Sequence, residues 1–214
     1  LTAGRSPDPE SFHLAPCAEL AFSDYENWYN KLDQKARELI AKRWDIPAND
    51  NYLSKENISI CGLIYGNVVI LLQPSRGYDR DPSLNYHCPD LPPNHNYLAH
   101  YLWLREKFNV DAVIHLGKHG NLEWLPGKGI GLSANCFPEL AFGALPNIYP
   151  FIVNDPGEGS QAKRRSQAVI LDHLTPPLGR AGLHNELVEL EGLVDEYWEA
   201  SSMASNRVDI LKTK

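Results

Sequence analysis

Apolar residues recur along this chain with two periods, and the switching between them predicts its architecture. From Asp24, Trp28, Leu32, Ala36, Leu39 and Ile40 fall at helical spacing, with Ser23 or Asp24 available as N-cap and Pro47 closing the pattern. The residues before it, 1–23, are rich in Pro, Ser and Asp without a period and read as irregular; residues 48–57 read as a polar loop. Asn67–Gln73 is apolar nearly throughout, as a strand covered on both faces would be. Tyr97, Tyr101, Leu104 and Phe108 then mark a helix, with Leu98 and Leu102 widening its apolar face. The β-branched run Asp111–Gly117 predicts a second strand. Strand, helix and strand form a β-α-β unit, for which a parallel pairing with a right-handed crossover is the default.

Asn147–Asn154 predicts a third strand, although Pro150 argues against a central position. A helix is expected next, with Ala162, Ser166, Val169, Ile170 and His173 on one face and Thr175-Pro176-Pro177 as its stop. Leu187, Leu190, Val194, Tyr197 and Trp198 predict a final amphipathic helix. The expected fold is therefore α/β: a mostly parallel sheet flanked by helices, an added N-terminal helical segment and a C-terminal helix. The expected boundaries put an irregular region plus one helix at 1–57, the α/β domain at 58–200 and a tail at 201–214.

Composition adds exclusions. The 214 residues carry 43% hydrophobic and 22% charged residues, an ordinary balance for a globular protein. A formal charge of −7 gives no reason to expect nucleic acid or an anionic membrane as partner. No apolar run approaches the roughly 20 residues that span a bilayer. Cysteines 17, 61, 88 and 136 are scattered without a C-x-x-C pair, which points to reduced thiols and a cytoplasmic setting. The chain opens on Leu1 without a signal-peptide layout, and the expectation is a piece of a longer polypeptide.

Candidate chemistry collects after the predicted strands. The loops Q-P-S-R-G-Y-D, G-K-H-G-N-L-E and N-D-P-G-E-G-S would share one rim of a parallel sheet, where open α/β sheets hold their ligands. Together they carry Arg76, Asp79, Asp81, His115, Lys118, His119, Glu123, Lys128, Asp155 and Glu158. Each loop alone reads equally as solvated turn chemistry, since Gly, Pro and Asp favour turns. His115, His119 and Glu123 are spaced i, i+4 and i+8, yet Gly117 and Gly120 oppose a helix there. Imidazole and carboxylate suit a transition metal, and either can accept a proton. His115, inside an apolar run, also reads as a core histidine. Gly127-Lys128 is not a phosphate loop: six residues separate Gly120 from Gly127 and a glycine follows the lysine. ATP is not expected to bind this chain. Gly157-Glu158-Gly159-Ser160 opens a helix and could receive an anion, with Lys163, Arg164 and Arg165 either adding cationic donors or forming a wet face.

The stretch H-L-G-K-H-G-N-L-E-W-L-P-G-K resembles the large subunit of cobaltochelatase and, more distantly, the large subunit of magnesium chelatase. The resemblance continues through G-N-V-V-I-L-L-Q-P-S-R-G-Y-D-R-D-P, Y-H-C-P-D-L-P-P-N-H-N-Y-L-A-H-Y-L-W-L-R and Y-P-F-I-V-N-D-P-G-E-G-S-Q-A-K-R-R-S-Q-A-V-I-L-D-H-L-T-P-P-L, covering about Gly62 to Leu178. Lys118, Trp124 and the N-D-P-G-E-G loop look like the cobalt branch.

The resemblance implies an internal segment of a tetrapyrrole-binding subunit that inserts Co2+ into hydrogenobyrinic acid a,c-diamide. Separate AAA+ and integrin-like subunits would use ATP and Mg2+. It further implies Glu123 as proton acceptor and transient metal ligand, His119 as its companion in both roles, and His115 behind them. Arg76, Tyr78, Lys118, Lys128, Asp155, Glu158, Lys163, Arg164 and Arg165 would meet the substrate, with His95 in the pocket wall. Magnesium insertion into protoporphyrin, a non-catalytic tetrapyrrole or metal-binding module and a metal hydrolase are the alternatives.

Overall fold

The computed structural model describes residues 15–77, 80–81, 88–117, 120–150, 156–172 and 186–203. Tyr78, Asp79, Lys118, His119, Asp155 and the expected helix stop at Thr175-Pro176-Pro177 lie outside them. The chain divides into two compact units, Leu1–His173 and Leu174–Lys214.

The first unit holds two three-stranded sheets of opposite character. Strands β1 (Pro16–Ala21), β2 (Asn57–Tyr65) and β3 (Val68–Leu71) form an antiparallel sheet in that order. In β2 the alternation N-I-S-I-C-G buries Ile58, Ile60 and Gly62, and Leu20 pairs with Ile58. Strands β4 (Val113–Ile114), β5 (Asn147–Pro150) and β6 (Ala168–Leu171) form a parallel sheet with β5 central. The expected α/β class, with a parallel sheet, flanking helices and a C-terminal helix, is the observed one.

Several elements differ in detail, each for a local reason. The apolar run at 67–73 supplies β3, which pairs with β2 and not with the parallel sheet. Gly66, at φ 58, turns the chain within the two residues between Tyr65 and Val68, so hairpin closure captures the run. Pro16–Ala21, inside the stretch read as irregular, is held by the same sheet. The single helix expected from Asp24 is two, α1 (Phe22–Tyr29) and α2 (Gln34–Trp44), because Asp33 starts the second by accepting the Lys35 N–H at 2.9 Å. The helix expected to carry Ser166, Val169 and Ile170 stops sooner. There α5 (Pro156–Arg165) ends, Gln167 takes a left-handed φ of 53, and Ala168–Leu171 pairs with β5 instead. Pro150 sits in the central strand after all, at its final position.

Helix α3 (His95–Trp103) is capped by Asn94, whose Oδ1 accepts the Tyr97 N–H at 2.9 Å, and it continues as a π turn over Leu104–Phe108. Helix α4 (Phe137–Phe142) is finished by Arg105, which donates to the carbonyls of Leu140 and Ala141, both at 3.1 Å. One apolar core joins α1, α2, β2, α3 and α4, while Tyr149, Ala162 and Ala168 form a small second cluster under α5. The second unit contributes α6 (Glu186–Met203), on which Leu187, Leu190, Val194 and Trp198 are more than half exposed. Among the described residues no helix is long and apolar enough to cross a membrane.

Candidate functional site

Beyond the end of β4 the chain enters a short 3-10 turn, Leu122–Trp124, anchored by fully buried Leu122 and Leu125. Placing both leucines in the core turns Glu123 inward as well, and only 1% of it is exposed. A buried carboxylate needs donors. Its Oε1 accepts the Gly120 N–H at 2.9 Å and, more loosely, the Tyr149 hydroxyl at 3.5 Å. Its Oε2 is buried and has no hydrogen-bond partner among the described residues.

His115 stands beside this carboxylate. Its backbone N–H donates to the Ile148 carbonyl at 2.8 Å, and its ring stacks on Tyr149 with centroids 4.4 Å apart and planes 28° apart. Burial lowers the imidazole pKa below its ordinary value, with the nearby Glu123 charge opposing. The ring therefore favours its neutral form, which has a lone pair to offer. A Cβ on Gly120 would run into His115 Cε1, so the missing side chain lets imidazole, peptide and carboxylate crowd together.

The antiparallel sheet reaches the same place. Past β3, Gln73 accepts the Asn121 N–H at 2.6 Å through Oε1. Its Nε2 donates to Tyr101 Oη at 2.9 Å and to Tyr97 Oη at 3.4 Å. Burial raises both phenols, Tyr101 to about 12, so they remain protonated at neutral pH. Gln73 thus ties α3 to the loop bearing Glu123.

Two buried guanidinium groups grip the main chain of that loop. Arg76, fully buried, donates to the carbonyls of Trp124 at 2.8 Å and Cys88 at 2.6 Å. Arg165, 8% exposed, donates to the carbonyls of Glu123, Leu125 and Lys128 at 2.8, 2.6 and 3.1 Å.

The structure thus brings together His115, Glu123, Arg76 and Arg165 of the expected residues. Both arginines direct these donors to carbonyls, where the resemblance implies contact with substrate. His95 lies in the core instead of a pocket wall: it is fully buried, with Nδ1 2.7 Å from Tyr25 Oη and Nε2 3.0 Å from the Asp45 carbonyl oxygen. Asp81 forms a surface ion pair with Arg43 at 2.6 Å. Lys128, Lys163 and Arg164 are exposed, and Glu158 is half-buried near the start of α5.

Sequence reasoning missed Gln73 and Tyr149, because a glutamine ending an apolar run and a tyrosine inside a strand carry no motif. Among the described residues no three His, Cys, Asp or Glu side chains cluster closely enough to hold a metal. Glu123 Oε2 and the neutral His115 ring are the acceptors near one another.

A family model described as CobN/Magnesium Chelatase matches residues 1–214. The chain is 51% identical over 213 residues to the aerobic cobaltochelatase subunit CobN of Pseudomonas aeruginosa, covering 99% of this chain and 17% of that protein. It is 37% identical over 190 residues to the chloroplastic magnesium-chelatase subunit ChlH of Oryza sativa subsp. indica, covering 89% of this chain and 14% of that protein. Among solved structures, the catalytic subunit of cobaltochelatase from Mycobacterium tuberculosis superposes with a TM-score of 0.68 at 42% identity, over 92% of this chain and 18% of that one. The chain therefore spans less than a fifth of the length of each of these relatives.

Proposed function

We propose that this chain, which belongs to the CobN/magnesium chelatase family, is the part of a cobaltochelatase large subunit that holds the proton acceptor for metal insertion. The substrates on this reading are Co2+ and hydrogenobyrinic acid a,c-diamide. ATP, with Mg2+, is consumed on separate AAA+ and integrin-like subunits, in the cytoplasm. Cobalt is favoured over magnesium by the higher identity to the cobalt relative, 51% against 37%.

One observation carries the chemistry: Glu123 is a buried carboxylate with one oxygen fixed by the Gly120 N–H and the other without a hydrogen-bond partner among the described residues. Insertion breaks the inner N–H bond of the corrin ring and releases its one proton as the cation enters, so the monoanionic ring balances one of the two charges on Co2+. A carboxylate held in one rotamer can take such a proton without reorganising, and outside water its charge acts at greater strength. The same oxygen can replace a departing water on Co2+ before the ring nitrogens do. On this reading His115, beside Glu123 and held in its stack on Tyr149, receives the proton next, the Glu123 charge favouring its protonated form against the opposing effect of burial. His119 remains the proposed companion of Glu123 as ligand and base. Tyr78, Lys118, Lys128, Asp155, Glu158, Lys163 and Arg164 remain proposed substrate contacts, the exposed Lys128, Lys163 and Arg164 suiting peripheral carboxylates.

The test is substrate choice in the assembled enzyme, with each tetrapyrrole offered alongside each metal. Insertion of Co2+ into hydrogenobyrinic acid a,c-diamide, with neither binding of protoporphyrin nor insertion into it, is expected. Tight protoporphyrin binding with Mg2+ insertion would place the chain in the magnesium branch.

A further inference from the structure

We propose that Arg165 is a positioning residue for metal insertion, which fixes the main chain carrying Glu123 and does not itself bind the tetrapyrrole. The inference deepens the reading of Glu123 as proton acceptor and rests on it.

The sequence presents Arg165 as the last of three consecutive cations, Lys163, Arg164 and Arg165. The fold separates them. Lys163 and Arg164 are exposed on α5, whereas Arg165 is 8% exposed and faces the 3-10 turn. Each of its three guanidinium nitrogens donates to a different carbonyl: Nη1 to Glu123 at 2.8 Å, Nη2 to Leu125 at 2.6 Å and Nε to Lys128 at 3.1 Å. The carbonyls of a six-residue stretch therefore converge on one planar group, a shape that a guanidinium matches and an ammonium does not.

This geometry acts on the carboxylate through its own peptide. The Glu123 carbonyl is pinned by Arg165 at 2.8 Å, and its Oε1 is pinned by the Gly120 N–H at 2.9 Å. Fixing the residue at both ends leaves the side chain little room to swing away from where a proton or cation must arrive. Arg76 repeats the device one residue on, donating to the Trp124 carbonyl at 2.8 Å. Because Arg165 closes α5, any displacement of that helix is delivered to the Glu123 peptide through a hydrogen bond to a charged donor.

The experiment uses the assembled chelatase, with kcat and the KM for hydrogenobyrinic acid a,c-diamide measured for Arg165→Lys, Arg165→Ala, Glu123→Gln and the Lys/Gln double variant. For Arg165→Ala, kcat is expected to fall by about 100-fold, the order found when a reacting group is displaced by about an ångström. KM is expected to stay within about 2-fold. Added guanidinium ion should restore part of that rate. Arg165→Lys keeps the charge and guards against a folding failure. It should bind tetrapyrrole normally and insert about 10-fold slower, a loss that disappears in the Glu123→Gln background because the two residues act as a unit. A raised KM with unchanged kcat would make Arg165 a substrate ligand and overturn the proposal, as would losses that multiply in the double variant. An unchanged rate in Glu123→Gln alone would overturn the functional reading itself.

Discussion

Gly120 is the position where the site has least room for change. Its N–H reaches Glu123 and its Cα lies against an imidazole ring that is itself stacked on Tyr149. A methyl there would overlap His115 Cε1 and lie 2.5 Å from Nε2, so the ring would have to shift in its stack on Tyr149. Gly120→Ala should therefore cost about 2 kcal/mol of stability and lower the insertion rate more than tetrapyrrole affinity. Urea denaturation and single-turnover insertion would read the two effects. Unchanged rate and stability would show that His115 is not confined as described. Glu123 is legible in the sequence because a carboxylate between Leu122 and Trp124 has no packing reason to be there. Arg165 is not: in a run of three cations, composition cannot tell the residue that turns inward from the two that face water.

At the scale of elements, the site is assembled where the two sheets of the first unit meet. The parallel sheet brings His115 and Tyr149, and the antiparallel hairpin brings Gln73 and Arg76. Of the parallel sheet, β4 and β5 are readable from their apolar runs, whereas β6 reads as the continuation of α5. The hairpin is not readable, because an apolar run has the same composition in either sheet, and the cue is the Gly66-Asn67 turn before it. The break between α1 and α2 is hidden likewise, since Asp33 reads as one more polar position until its capping bond is seen.

Asn94 joins these elements at α3. It caps the helix through Tyr97 N–H, and its Nδ2 donates to the Ser75 carbonyl at 3.1 Å, next to Arg76. Asn94→Ala should lose about 2 kcal/mol, above a surface cap, because a buried carbonyl loses its donor as well. A midpoint shift in urea at constant m-value is the expected signature. A loss of a few tenths of a kcal/mol would mean that the Ser75 bond contributes nothing.

The whole molecule should be acid-sensitive. Burial lowers the pKa of His95, His100 and His115, that of His100 from 6.5 to about 4. A lowered folded pKa means the unfolded chain binds the proton first. The stability linked to these residues is therefore complete above about pH 6.5 and is lost as pH falls toward the folded values. His100 alone would account for about 3 kcal/mol across that window. Replacing it with Phe should flatten the fall in stability between about pH 6 and pH 4. An equally steep profile in that variant would assign the acid sensitivity to other groups.

On the proposed function, the Glu123 carboxylate takes the ring proton. The most direct measurement is single-turnover Co2+ insertion by the assembled enzyme carrying Glu123→Gln, with tetrapyrrole affinity determined on the same preparation. The amide keeps the size and the Gly120 contact but cannot take a proton, so insertion should slow by at least about 100-fold while affinity changes little. Insertion at the unaltered rate, with affinity retained, would contradict the role assigned to Glu123.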